Sequence, residues 1–228
     1  LGGCLADDME LGKTIQVISL LLCIKENRKK SKPSLLIVPA SLIGNWKAEI
    51  SKFAPSICYF IAHTSEMEKM NQNNFEQDLI DDYDVIITTY SSLNRISWLQ
   101  SCEWDLVILD EAQAIKNPAA KQTLACKQFK SKMRLSLTGT PVENNLIDLW
   151  SILDFSCPGL LGNIKEFSIY SKKIKQQSAK LEENIYRPLR QLVKPYILRR
   201  LKTDPKIISD LPDKTELKTY CHLTLKQI

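Results

Sequence analysis

Leu11-Gly12-Lys13-Thr14 sets a glycine, a cation and a hydroxyl side by side at the mouth of a predicted helix. This arrangement suits a triphosphate. Loop N–H groups and the helix N-terminus face the anion, Lys13 reaches the β- and γ-phosphates, and the Thr14 hydroxyl ligates Mg²⁺. Asp8, Met9, Leu11 and Gly12 would complete the cradle. The generic phosphate-loop pattern has Gly where this chain has Asp7, so the segment alone leaves open an ordinary helix that happens to begin Gly-Lys-Thr.

Leu106-Val107-Ile108-Leu109-Asp110-Glu111 narrows the choice. A carboxylate at the C-terminal end of a buried parallel strand stands at the crevice where such sheets bind ligands. Asp110 suits Mg²⁺, directly or through water, and Glu111 suits polarising the water that attacks a γ-phosphate. One Asp could simply cap a strand end. This pair, with a phosphate loop upstream, points to an ATP site. Thr138-Gly139-Thr140-Pro141 closes another strand, and its hydroxyls either sense the γ-phosphate or form a plain turn.

The elements that must position these residues are legible as alternating apolar runs and amphipathic stretches. Strands are expected at Gly3–Ala6, Leu35–Val38, Ile57–Ile61, Asp84–Thr88, Leu106–Leu109 and Arg134–Leu137. Helices are expected over Thr14–Ile24, Ser41–Phe53 and from Asn145 to Phe155, with helix or loop over 63–80. Continuous Val/Ile/Leu runs separated by helices predict an α/β fold with a mainly parallel sheet covered on both faces. Beyond Pro158 the chain turns basic and helical, reading as a smaller helical region.

Composition excludes several classes. An apolar share of 44% and a charged share of 25% are ordinary for a soluble globular protein. No apolar run approaches the roughly 20 residues of a membrane span, and the longest, Ile15 to Ile24, is broken by Gln16 and Ser19. The start does not read as a signal peptide and looks like a cut into a longer chain. Seven cysteines without a close pair suit free thiols better than disulfides or zinc. The net charge of +5 is uneven. Residues 151–228 carry 15 Lys+Arg against 8 Asp+Glu, and residues 1–150 carry 16 against 18. Basic excess of this kind permits nucleic-acid contact and equally suits solvated lysine-rich helices.

With these motifs assembled, the chain resembles the Snf2 (SWI2/SNF2) family of helicase-like ATPases, in superfamily 2, over nearly its whole length. Leu5 to Thr14 is similar to motif I, with Glu10 where the family has Gly. Leu36-Ile37-Val38-Pro39 with Asn45-Trp46 and Glu49 resembles motif Ia, and Ile87-Thr88-Thr89-Tyr90 resembles motif Ib. Asp110-Glu111-Ala112-Gln113 resembles motif II, and Leu135 to Pro141 with Asn144-Asn145 and Trp150 resembles motif III and its extension. Pro195 with Ile197-Leu198-Arg199-Arg200 resembles the stretch leading to the second lobe, and the local wording is most like bacterial members.

The resemblance implies a RecA-like P-loop NTPase lobe over 1–160, a helical protrusion over 161–202 and a connector over 203–228 toward a second RecA-like lobe. It implies an ATPase that moves on double-stranded DNA without unwinding it, acting on DNA-bound protein complexes, with ATP and Mg²⁺ and no membrane. Location would be the cytoplasm or nucleoid in a bacterium and the nucleus in a eukaryote. Lys13, Asp110 and Glu111 would be catalytic, with Mg²⁺ on Thr14 and Asp110. Gln113, Thr138, Gly139 and Thr140 would couple nucleotide state to DNA. Ala40, Ser41, Thr88, Thr89, Tyr90, Asn144, Asn145, Arg199 and Arg200 would lie near the DNA backbone, where contacts carry little sequence information. Arg199 and Arg200 suit carboxylate partners in the connector equally well. A strand-separating helicase and a degenerate protein without turnover are the competing readings. The four tryptophans read as packing residues, because a duplex motor has little use for base-stacking surfaces. Alone, the 228 residues are expected to bind nucleotide weakly and hydrolyse it very slowly.

Overall fold

Side chains alternate across a strand, so an all-apolar strand needs cover on both faces. In the computed structural model, which describes residues 2–27, 32–63, 80–142, 145–178, 183–204, 206, 207 and 219, the strands are covered in this way. Seven strands form one sheet: β1 (Gly2–Leu5), β2 (Ser34–Val38), β3 (Tyr59–Ala62), β4 (Val85–Thr89), β5 (Glu103–Leu109), β6 (Lys130–Leu137) and β7 (Ile197–Leu198). The order is β3-β4-β2-β5-β6-β1-β7, and every pairing is parallel. The fold is the expected α/β, RecA-like P-loop architecture with a smaller helical region.

Alternation splits the core in two. Leu36, Val38, Leu106 and Ile108 pack with Val17, Ile18 and Leu21 of α1 (Lys13–Glu26) and with Trp46 and Ile50 of α2 (Ile43–Phe53). Leu35, Ile37, Val107 and Leu109 face the other way. After α3 (Trp98–Ser101), that layer includes Cys126 of α4 (Lys121–Gln128) and Trp150, Ile152 and Phe155 of α5 (Leu146–Ser156). Phe167 of α6 (Ile164–Ser178) and Leu189 and Val193 of α7 (Arg187–Val193) join the same layer, so the helical region shares a core with the sheet. Gly2 is required where β1 begins, because a Cβ there would stand 1.8 Å from the Ser156 carbonyl oxygen.

The structure moves several expected boundaries. β6 begins at Lys130 rather than Arg134, because its polar first half pairs with β5 at the exposed end of the sheet. A 3₁₀ turn over Ala40–Leu42 takes the place of the first helical turn expected from Ser41. Asn145 caps α5 rather than lying within it, with its side chain accepting from the Ile147 N–H in a capping box with Asp148. α4 and β7 went unread in the sequence. Residues 64–79 lie outside the described residues, as does most of the expected connector. The described cysteines are all free, and burial pushes the Cys4 and Cys126 thiols up to about 12. Among the described residues no three or more His, Cys, Asp or Glu side chains gather as a metal cluster, and no helix is long and apolar enough to cross a membrane.

Leu36 and Ile108 are neighbours in the middle of the sheet and fully buried. Truncating either to Ala is expected to cost about 2–5 kcal/mol, since a sheet enclosed on both faces closes poorly around a void. Urea unfolding would register this as a lower midpoint at unchanged slope.

Candidate functional site

β1 ends at Leu5, and the chain turns through residues 6–12 before α1 opens at Lys13. Gly12 makes that turn possible with φ 71°, a left-handed conformation. No side chain caps α1, and no acidic residue stands in its first turn, so its leading N–H groups and positive dipole end suit an anion. The Lys13 ammonium folds back onto the loop, donating to the backbone oxygens of Asp7 (2.8 Å) and Asp8 (3.1 Å). Gln16 fastens the far side, donating to the Leu11 and Gly12 carbonyls at 3.2 and 3.3 Å.

β5 delivers Asp110 and Glu111 to the same end of the sheet. Met9, Glu10, Gly12, Lys13 and Thr14 line one open cleft of about 930 Å³ with Asp110, Glu111 and the α2 residues Asn45, Glu49 and Phe53. Asp110 is buried. Its Oδ2 accepts from the Trp46 indole N–H at 2.7 Å and its Oδ1 from the Glu111 N–H at 2.9 Å. Burial raises its carboxyl above the usual range, and Glu111 adds to this against the lowering pull of Trp46 and Lys13. A nearby divalent cation would relieve this destabilised anion, so the donor set fits Mg²⁺.

Glu111 adopts φ 50°, a left-handed conformation that non-glycine residues rarely hold and that costs on the order of 1–3 kcal/mol. The bend turns the chain into the 3₁₀ turn Ala112–Ile115, and the Gln113 amide donates to Glu111 Oε2 at 2.7 Å. Thr138 Oγ1 in turn donates to Gln113 Oε1 at 2.9 Å and accepts from the Thr140 N–H at 3.1 Å. Glu111, Gln113, Thr138 and Thr140 thus form one continuous chain of hydrogen bonds. Gly139 lies against Met9, whose Cγ would stand at an ordinary contact distance of 3.4 Å from a Cβ there.

A model of the SNF2-related domain matches residues 1–228 in full. The chain belongs to the SNF2-related domain family. It is 44% identical to the Sulfolobus solfataricus SWI2/SNF2 ATPase core solved in complex with dsDNA, with a TM-score of 0.80 over 99% of this chain and 45% of that one. It is 39% identical over 225 residues to the Mycoplasma genitalium protein called uncharacterized ATP-dependent helicase MG018, covering 98% of this chain and 20% of that protein. It is 35% identical over 238 residues to the chromatin-remodeling ATPase INO80 of Lodderomyces elongisporus, covering 100% of this chain and 15% of that protein. The chain spans about a quarter or less of the curated relatives it matches. These relatives come from bacteria and a yeast, with others in mouse, so the likeness assigns no bacterial source.

The segments that family resemblance set near DNA separate into two groups in this SNF2-related domain. Ala40 and Ser41 are exposed where β2 ends. Thr88, Thr89 and Tyr90 are buried, and their hydroxyls are engaged inside the lobe. Thr88 donates to the Ala62 carbonyl, Thr89 pairs with Ser91 and Ser92, and Tyr90 donates to the Asp110 carbonyl at 2.7 Å. These side chains therefore hold the strand ends in place. Asn144 lies outside the described residues, and the Asn145 side chain caps α5. Arg199 and Arg200 do take carboxylate partners, but in the phosphate loop rather than in the connector.

Trp46 proves to be more than packing. Its indole N–H holds Asp110, a contact hidden from sequence by a separation of 64 positions. Gln16 had a sequence signal, a lone amide inside the apolar run of α1. Glu10 sits at φ 67°, a left-handed conformation that favours Gly. Its side chain is 85% exposed at the rim of the cleft and pairs with Lys202.

Proposed function

We propose that this chain is the ATP-binding first lobe of a motor that couples ATP hydrolysis to movement on double-stranded DNA. Supporting this above all is the meeting of Gly12, Lys13 and Thr14 with Asp110 and Glu111 in one cleft, from chain segments about a hundred residues apart. The DNA part rests on the 44% identity to a SWI2/SNF2 core solved with dsDNA. Residues 1–160 would be the RecA-like lobe, 161–202 the helical protrusion and 203–228 the connector. A second lobe would come from sequence beyond these residues, in keeping with the small share of each relative that the chain spans.

The loop amides and Lys13 would bind the phosphates, with Lys13 exchanging the carbonyls of Asp7 and Asp8 for phosphate oxygen. Thr14 and Asp110 would hold Mg²⁺, which neutralises charge on the phosphates when bound. Trp46 keeps the Asp110 carboxylate oriented. Glu111 would accept hydrogen bonds from the attacking water and draw off its proton. Loss of that interaction would reach Thr138 and Thr140 through Gln113, giving the lobe a route from nucleotide state to a neighbouring strand end. Full turnover in such motors needs charge stabilisation supplied across the lobe cleft.

Pairing with Lys202 offsets the Glu10 charge and weakens the case for a degenerate protein, which would show no turnover even with both lobes present. Hydrolysis by residues 1–228 alone is expected to be very slow with or without duplex DNA, and joining the second lobe to give duplex-stimulated turnover. Triplex displacement without strand separation would support duplex translocation. Efficient strand separation would instead favour an unwinding helicase.

A further inference from the structure

The phosphate loop carries three carboxylates, Asp7, Asp8 and Glu10, against one lysine, Lys13. Left uncompensated, such a loop would repel a polyphosphate. Compensation comes from the far end of the chain. β7 pairs with β1 at Cys4 and Leu5, and its backbone continues alongside the loop. The Ala6 N–H donates to the Leu198 carbonyl at 2.7 Å and the Asp8 N–H to the Arg200 carbonyl at 3.1 Å. In return the Arg200 N–H donates to Asp7 Oδ1 at 2.8 Å and the Lys202 N–H to Asp8 Oδ2 at 3.1 Å.

The side chains follow the same ladder. The Arg200 guanidinium donates from Nε and Nη2 to the fully buried Asp7 carboxylate and from Nη2 to Gln16 Oε1 at 2.8 Å. Arg199 stands 3.8 Å from Asp8, and Lys202 pairs with Glu10. Three cations thus answer three carboxylates. Burial raises the Asp7 carboxyl, but the hydrogen bonds from Arg200 and Gln16 outweigh it and hold the group below its ordinary value. Arg200 also reaches both ends of the loop, through Asp7 at the start and through Gln16 to Leu11 and Gly12 at the end.

We propose that residues 199–202 form a charge-compensating strap of the nucleotide site, with Arg200 as the positioning residue that shapes the phosphate loop and makes it receptive to polyphosphate. The inference rests on the nucleotide site proposed above. The strap follows the helical region in the chain, so displacing it would withdraw positive charge from the loop and weaken its hold on nucleotide. Arg200 therefore acts on phosphate through Asp7 and Gln16 rather than on DNA.

The test uses the 228-residue chain, a fluorescent ADP with Mg²⁺, and amide hydrogen exchange. Arg200→Gln is expected to weaken ADP binding roughly 10–100-fold, as the loss of a charge-assisted bond predicts, and to speed exchange at Ala6 and Asp8. Asp7→Asn with Arg200→Gln removes both charges and should bind ADP more tightly than Arg200→Gln alone. Lys202→Ala, at a pair whose Glu10 side chain is 85% exposed, should weaken binding several-fold, with Glu10→Gly added to it restoring binding. Wild-type ADP affinity in both Arg200→Gln and Lys202→Ala would overturn the proposal. So would lost duplex-DNA affinity in Arg200→Gln with ADP binding and amide protection intact. Exchange at Ala6 and Asp8 is read without nucleotide, so a failure of the wild-type chain to bind ADP would count against the ATP site and remain distinguishable from a failure of the strap.

Discussion

Replacing Glu111 with Gln is expected to slow ATP turnover by about 10²–10⁴-fold, the usual contribution of a positioned general base, while nucleotide affinity stays close to wild type. The substitution keeps size and polarity and removes only the proton acceptor. Gln113 donates to Glu111 Oε2, and a glutamine at 111 still offers a carbonyl oxygen to that amide. The left-handed bend at 111 is set by the backbone, so geometry should survive. Measured with both lobes present, kcat and kcat/KM should fall together, the mark of an interaction made in the transition state. A raised KM at unchanged kcat would instead place Glu111 in ground-state binding.

Lys13→Ala should act earlier, on binding itself. Lys13 is the one cation within the loop, and its ammonium lies at the α1 N-terminus, held by two backbone carbonyls. Removing it leaves the Asp7 and Asp8 carbonyls without that donor and the loop without its own positive charge. Nucleotide affinity is expected to fall roughly 10–100-fold, in line with a lost charge-assisted hydrogen bond. Turnover should fall by about 10²–10³-fold or more, as when a preorganised donor is removed. A thermal melt should change little, because Lys13 is only partly buried and fills no part of either core cluster.

The residues that meet in the cleft were legible because the chemistry proposed for them constrains consecutive positions. Gly12-Lys13-Thr14 and Asp110-Glu111 are short, local and placed at the ends of readable strands. The parallel sheet was legible for a similar reason, since strands enclosed on both faces must be apolar throughout, as in Leu35–Val38 and Val107–Leu109. What escaped depends on contacts between distant positions. Trp46 and Asp110 meet only because β2 and β5 are neighbours in the sheet, and Arg200 meets Asp7 only because a two-residue strand returns beside β1. Ile197-Leu198 is too short to announce a strand amid basic residues, and Lys130–Met133 is too polar to read as one. Thr88, Thr89 and Tyr90 show a further limit, because the sequence does not say which partners inside the lobe the hydroxyls of a strand end will take.

An equilibrium titration of the 228-residue chain with a fluorescent ATP analogue, with and without Mg²⁺, tests the nucleotide site most directly. Saturable binding to one site is expected, strengthened by Mg²⁺ and weakened by Lys13→Ala, and by Asp110→Asn in the presence of Mg²⁺ alone. No saturable binding by the wild-type chain, or binding indifferent to Mg²⁺ and to both substitutions, would contradict it.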